Sequence, residues 1–242
     1  MADLLVPAWP APANVRTLQT LRSGGCSPAP WDSFNLGDHV GDDPRHVAAN
    51  RAALRRLLPG EPLWLTQVHG IAVADAASSP NFIEADAAFA RLPGRVCAVM
   101  TADCLPVLFC DRAGTAVAAA HAGWRGLVAG ILEATISRMG VPSGELLAWL
   151  GPAIGPQRFE VGDEVRAAFL THNAAAESAF LPQQPGKWLA DIYQLARQRL
   201  LAAGVGSISG GDCCTVSDAS RFFSYRRDGV TGRMASLIWL DS

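Results

Sequence analysis

The 242-residue chain is short of lysine: of its 20 basic residues only Lys187 is not arginine. That skew carries no functional message, but the charge balance around it does. Twenty basic against 22 acidic residues leave a net charge of −2, without the basic surplus that a nucleic-acid partner demands. No stretch of about 18 consecutive apolar residues occurs, so neither a transmembrane helix nor a membrane partner is expected. The N-terminus, Met1-Ala2-Asp3, has no basic segment ahead of an apolar one and does not read as a signal peptide. The six cysteines (26, 97, 104, 110, 213 and 214) fit no disulfide framework in a chain of this size. Free thiols suit a reducing compartment, so the expected location is cytoplasmic. Internal repeats, heptads and low-complexity tracts are also missing.

What is present is material for a core. Half of the residues are apolar and 17% are charged, which excludes disorder and suffices for one large domain. No linker divides the chain, so a single domain over residues 1–242 is expected, with about 1–13 irregular. Asp42-Asp43-Pro44 starts a helix with an Asp cap and Pro in the first turn, and Pro59-Gly60 ends it. Strands are predicted at Leu63–Val68, Ile71–Ala74, Ala85–Ala90, Val96–Thr101, Leu105–Cys110, Thr115–His121 and Leu146–Leu150. Further short strands are predicted near Ile208, at Phe222–Tyr225 and at Met234–Leu240. Helices are predicted at Leu127–Met139, Asp163–His172 and Ile192–Ala203, the last capped by Asp191. Runs of strands broken by a few helices indicate an α+β class, mixed β-sheets flanked by helices.

The stretch Cys104–His121 is the most informative. Asp111-Arg112-Ala113-Gly114 reads as a turn between two apolar strands. A hairpin symmetric about Arg112 and Ala113 sets Cys104 opposite His121, with Cβ atoms about 4.5–5.5 Å apart. A one-residue bulge would put them on opposite faces. Leu105, Val107 and Phe109 fall on one face and Leu108, Val117 and Ala119 on the other, so the sheet should be covered on both sides. A thiol beside an imidazole there has three readings: a core thiol with a hydrogen-bonded histidine, a metal site, or a nucleophile with its base. His69, at a strand end before Gly70, is the candidate third metal ligand, with His39 a weaker one. His121-Ala-Gly-Trp-Arg-Gly126 joins a strand to a helix. Its glycines free backbone N–H groups to hold an anion, and Arg125 adds a guanidinium for phosphate; a plain tight turn with a solvated Arg125 is the other reading. The Gly151–Pro156 loop offers another pocket wall.

These segments together resemble a known family. His121–Gly126, Ala102-Asp-Cys-Leu-Pro106, Gln67-Val-His-Gly70, Gly151–Pro156, Ser33-Phe-Asn-Leu-Gly37, His39–Pro44 and Phe222–Asp228 look like the motifs of the YfiH/laccase-domain family, also called DUF152 or the multicopper polyphenol oxidase laccase family. The resemblance runs from about Thr20 to the C-terminus, with Phe34 and Phe159 as minor departures. It implies a YfiH-like α+β domain and a zinc site formed by His69, Cys104 and His121. It also implies purine nucleosides and phosphate as substrates: phosphorolysis of adenosine, inosine, guanosine and methylthioadenosine, with adenosine deamination as a further activity. Editing of peptidoglycan precursors is another role linked to bacterial members. The older copper phenol oxidase label fits poorly, because five histidines with no His-x-His pair cannot hold several coppers; copper can still take the three-ligand site in vitro.

Asp103 is expected to serve as an outer-shell or proton-carrying catalytic residue beside Cys104 and His121, with strand capping as the alternative. Asn35, Gln67, Arg125 and Arg226 are expected to contact substrate. Read without metal, the same hairpin gives a cysteine hydrolase with Cys104 as nucleophile and His121 as base. A monomer or small homo-oligomer is expected.

Overall fold

A computed structural model describes residues 3–241. Its elements form four layers. The central two are mixed β-sheets. The first has the order Leu4–Leu5, Val15–Thr20, Met234–Leu240, Val96–Thr101, Pro62–Leu63; the second has the order Ser207–Gly210, Leu146–Leu150, Leu105–Asp111, Val117–Ala122, Ala87–Ala90, Val73–Asp75. Pairing is antiparallel except at Pro62–Leu63 in the first sheet and at both edges of the second. Cys97, Val99, Leu108, Val117, Ala119 and Ile238 pack between the sheets. Helix α1 (Pro44–Arg55) covers the outer face of the first sheet, through Leu54 packed with Leu18, Ala98 and Leu237. The outer face of the second sheet is covered by α2 (Trp124–Ala129), α3 (Ile131–Met139), α4 (Asp163–His172) and α5 (Ile192–Ala202). Strand Leu105–Asp111 is buried along its whole length, as its unbroken apolar run requires of a strand covered on both faces.

The hairpin is the key element, and its register differs from the symmetric expectation. Cys110 pairs with Val117 and Leu105 with Ala122, so His121 faces Pro106 rather than Cys104. The turn is longer because Asp111 stabilises it. Its carboxylate accepts the N–H groups of Thr115 (2.7 Å) and Ala116 (2.8 Å) and the Thr115 hydroxyl (2.7 Å), while Gly114 takes φ 65°. The ladder is shifted by two residues, and side chains alternate with period two. Cys104 and His121 therefore remain neighbours on one side of the sheet.

Several expected elements change. The predicted Leu127–Met139 helix is two helices, broken at Gly130 with φ 104°. Phe222–Tyr225 is not a strand. Ser224 caps α6 (Tyr225–Asp228) by accepting the Arg227 N–H at 3.2 Å, while Phe222 and Phe223 are both fully buried. Leu63–Val68 splits into Pro62–Leu63 and Leu65–Thr66. The supposedly irregular N-terminal segment contains the edge strand Leu4–Leu5; Met1 and Ala2 lie outside the described residues. Strand Val15–Thr20 was not anticipated. Gln19 and Thr20 are fully buried in it, and polar residues at core positions erase the apolar pattern.

Candidate metal centre

His69, Cys104 and His121 come from three separate segments, and their side-chain donor atoms all lie within 4.8 Å of one another. His121 ends the strand Val117–Ala122, Cys104 immediately precedes Leu105–Asp111, and His69 sits in the loop after Leu65–Thr66. The rings of His69 and His121 meet edge-on, with centroids 4.8 Å apart.

A residue absent from the sequence reading organises this cluster. Asp86 is fully buried. Its Oδ1 lies 2.8 Å from His121 Nδ1 and accepts the His69 N–H at 2.9 Å; its Oδ2 accepts the N–H groups of Gly70 (2.6 Å) and Val68 (3.2 Å). Successive amides around one residue of left-handed backbone form an anion-binding nest, and His69 is that residue, at φ 61°. One carboxylate thus sets the His69 loop and, through Nδ1, turns Nε2 of His121 toward Cys104. A carboxylate behind a ligating imidazole is the usual outer partner in histidine–metal sites. Its one sequence signal was an acid inside the apolar run Ala85–Ala90.

The glycine of His121-Ala-Gly-Trp-Arg-Gly has a steric reason. A Cβ on Gly123 would lie 2.6 Å from His69 Cδ2 and 3.0 Å from Cys104 Sγ, against two of the three donor side chains.

The electrostatics follow the same contacts. Burial alone would raise the Cys104 thiol, but the charge and hydrogen bonds of His121 and His69 bring it down to about 6. Burial alone would lower His121; the Cys104 sulfur and Asp86 raise it to about 9. Asp86 is held below the ordinary carboxylate range, because its contacts with His121 and the loop amides outweigh burial. A thiolate and two imidazoles are standard zinc donors. His69 Nε2 and Cys104 Sγ lie 3.7 Å apart, close to the ~3.6 Å expected for two such ligands on a tetrahedral zinc. The residues fit one such ion. They do not fit a multicopper centre: among the described residues this is the one cluster of three or more candidate donors, and His39 and His46 lie instead beside Asp38 and Asp42.

The cluster borders a cavity of about 790 Å³. Gln67, Asp103, Arg125 and Arg226 line it, as does Ile154 of the Gly151–Pro156 loop. Arg125 is exposed, its guanidinium carbon 4.4 Å from the centre of the Trp124 ring. Gln67 uses both amide atoms on the Met100 backbone (2.8 and 2.7 Å). Asp103, at φ 96°, accepts the Thr215 hydroxyl and the Arg226 N–H, both at 2.6 Å. It therefore anchors the chain around α6 from the cavity wall, while Asp86 is the carboxylate bonded to His121. Asn35 is not brought to the cavity: it is fully buried, its amide bonded to Gly37, Asp42 and the Arg233 N–H. Arg233 and Phe82 do line it, and neither was singled out from the sequence. Phe82 is 53% exposed with φ 64°, its backbone held by Trp64 and Thr66.

Comparison with known proteins points one way. The family model described as multi-copper polyphenol oxidoreductase laccase matches residues 16–241. A Pseudomonas aeruginosa protein named purine nucleoside phosphorylase is 60% identical, over 98% of both chains. The Escherichia coli purine nucleoside phosphorylase YfiH is 58% identical, over 99% of this chain and all of that one. The crystal structure of a Neisseria meningitidis DUF152 protein superposes with a TM-score of 0.96 at 54% identity, covering 99% of both chains.

Proposed function

Because the chain belongs to the multi-copper polyphenol oxidoreductase laccase family, of YfiH/DUF152 type, we propose that it is a zinc-dependent purine nucleoside phosphorylase. Adenosine, inosine, guanosine and methylthioadenosine are the substrates of this reading, and adenosine deamination is a second activity of the same site. The names of its relatives support the reaction class. The observation that carries the site is the meeting of His69, Cys104 and His121 on a cavity that also contains arginine side chains.

In this reading His69, Cys104 and His121 hold the metal, and three protein ligands leave a position open, as in catalytic zinc sites. When bound, zinc supplies a Lewis acid beside the substrate. The chain's residues do the rest. Asp86 keeps the proton on His121 Nδ1 and fixes the ring. The arginines attract the anionic co-substrate. Phe82 and Tyr225, exposed on the cavity wall, give a purine base apolar surfaces to stack on. Gln67, locked to Met100, shapes the wall beside His69. A cavity of this size lies within the range of ligand sites, about 300–1,000 Å³. A bare cysteine hydrolase would not need the third donor, His69, so the metal reading is preferred. The whole chain acts as one unit in this proposal, a cytoplasmic monomer or small homo-oligomer. None of the described helices is long and apolar enough to cross a membrane.

The test is incubation of purified protein with adenosine and inorganic phosphate. Adenine and ribose 1-phosphate are expected, with loss on chelation and recovery with zinc. Absence of both ribose 1-phosphate and inosine overturns the proposal.

A further inference from the structure

The geometry assigns to Arg233 a role that no motif suggested: we propose that it is the phosphate-binding residue of the cavity, an assignment that rests on the phosphorolytic reading above. Arg233 is half-buried and lines the same cavity as the three candidate ligands. Its position is specified from behind. Asn35, fully buried and itself bonded to Asp42, accepts the Arg233 N–H at 2.9 Å. Gly37 accommodates the stem: a Cβ there would lie 2.7 Å from Arg233 Cγ. Asn35-Leu-Gly37 is thus a cradle for an arginine almost 200 residues later in the chain.

The guanidinium is positioned, and of the acidic groups whose charge reaches it, Cys104 and Asp103, neither bonds to it. Nη1 donates to the carbonyls of Thr231 and Gly232, both at 3.1 Å, and Arg233 forms no ion pair among the described residues. The cavity's two carboxylates are otherwise engaged. Asp103 accepts from Thr215 and Arg226 N–H, and Asp38 lies 3.4 Å from both Arg51 and His39. A half-buried cation with Nε and Nη2 donors to spare has room for an anion in direct contact, and the guanidinium fork matches two oxygens of a phosphate. Arg125 and Arg226 compare poorly. Arg125 is exposed and stacked on Trp124, and Arg226 is exposed with Nη1 committed to the Glu160 carbonyl at 3.0 Å.

The experiment is calorimetric titration of inorganic phosphate into zinc-loaded protein, followed by phosphorolysis at varied phosphate and varied adenosine. For Arg233→Met, phosphate binding at least tenfold weaker is expected, with KM for phosphate raised by the same factor and KM for adenosine within twofold of wild type. Arg233→Lys, which keeps the charge and loses the fork, should fall between. Thermal melts establish that the variants are folded. The assignment is overturned if folded Arg233→Met and Arg233→Lys both bind phosphate like wild type, or if wild type binds none. Phosphate binding that depends on Arg233, without any turnover by wild type, sinks the phosphorolytic reading and leaves the subsite standing. Turnover indifferent to Arg233 does the reverse.

Discussion

Cys104 and Cys110 stand at the two ends of one strand, and the same side chain becomes two different chemical groups. Cys110 is fully buried between the sheets among Leu108, Val117 and Leu147. Burial pushes its thiol up to about 12. Cys104, just before the strand begins, feels the same penalty, yet two imidazoles reverse it and bring the thiol down to about 6. Desolvation alone makes an inert thiol. A partner able to hold positive charge makes a ligand or nucleophile from it.

This contrast can be broken from the Cys104 end. Cys104→Ala should abolish stoichiometric zinc, measured by elemental analysis, and lower phosphorolysis by about 10³-fold or more, the scale for removing one member of a group that acts as a unit. Gly123→Ala keeps every donor residue but presses a methyl against His69 and Cys104; turnover should drop about 10²-fold, as for a misplacement near 1 Å. Asp86→Asn keeps the shape and removes the charge behind His121. Zinc affinity should fall about 10- to 100-fold by competition with a chelator.

The remaining two predictions sharpen the comparison. The thiolate is the reactive form, so alkylation of Cys104 in metal-free protein should rise with pH through a midpoint of about 6 and then level off. Cys110 should stay unmodified below about pH 12, and bound zinc should block Cys104. Peptide mapping after a short iodoacetamide pulse checks both. Cys110→Ala should have the smallest effect, about 1 kcal/mol of stability for a small core deletion, with turnover within twofold of wild type.

The motifs were legible because each candidate ligand stands next to a residue with an evident local job. Gly70 follows His69, Leu105 and Pro106 continue the strand from Cys104, and Gly123, two residues after His121, clears the space beside His69 and Cys104. The apolar alternation of the hairpin placed Leu105, Val107 and Phe109 on one face and Leu108, Val117 and Ala119 on the other, as found. Asp86 and Arg233 were not legible. Their significance lies in contacts with the loop 68–70 and with Asn35, both far away in sequence. Asp103 needed the tertiary structure for a related reason. Its position beside Cys104 in the chain suggested an outer-shell or proton-carrying role or a cap; the structure places it on the cavity wall with a left-handed backbone and bonds to Thr215 and Arg226 that the sequence does not show.

Residue order alone determined the α+β class and the double-sided core of the central hairpin and set Cys104 near His121, since these depend on side-chain chemistry and short-range periodicity; His69 joined that pair as a candidate donor through the resemblance to the family. Tertiary structure decided the two-residue shift in the hairpin register, the carboxylate that orients the imidazole, and the arginine that lines the cavity with donors to spare. Those depend on which backbone amides and which charges meet across long stretches of chain, and the free energy of such meetings is a property of the packed molecule rather than of any local segment.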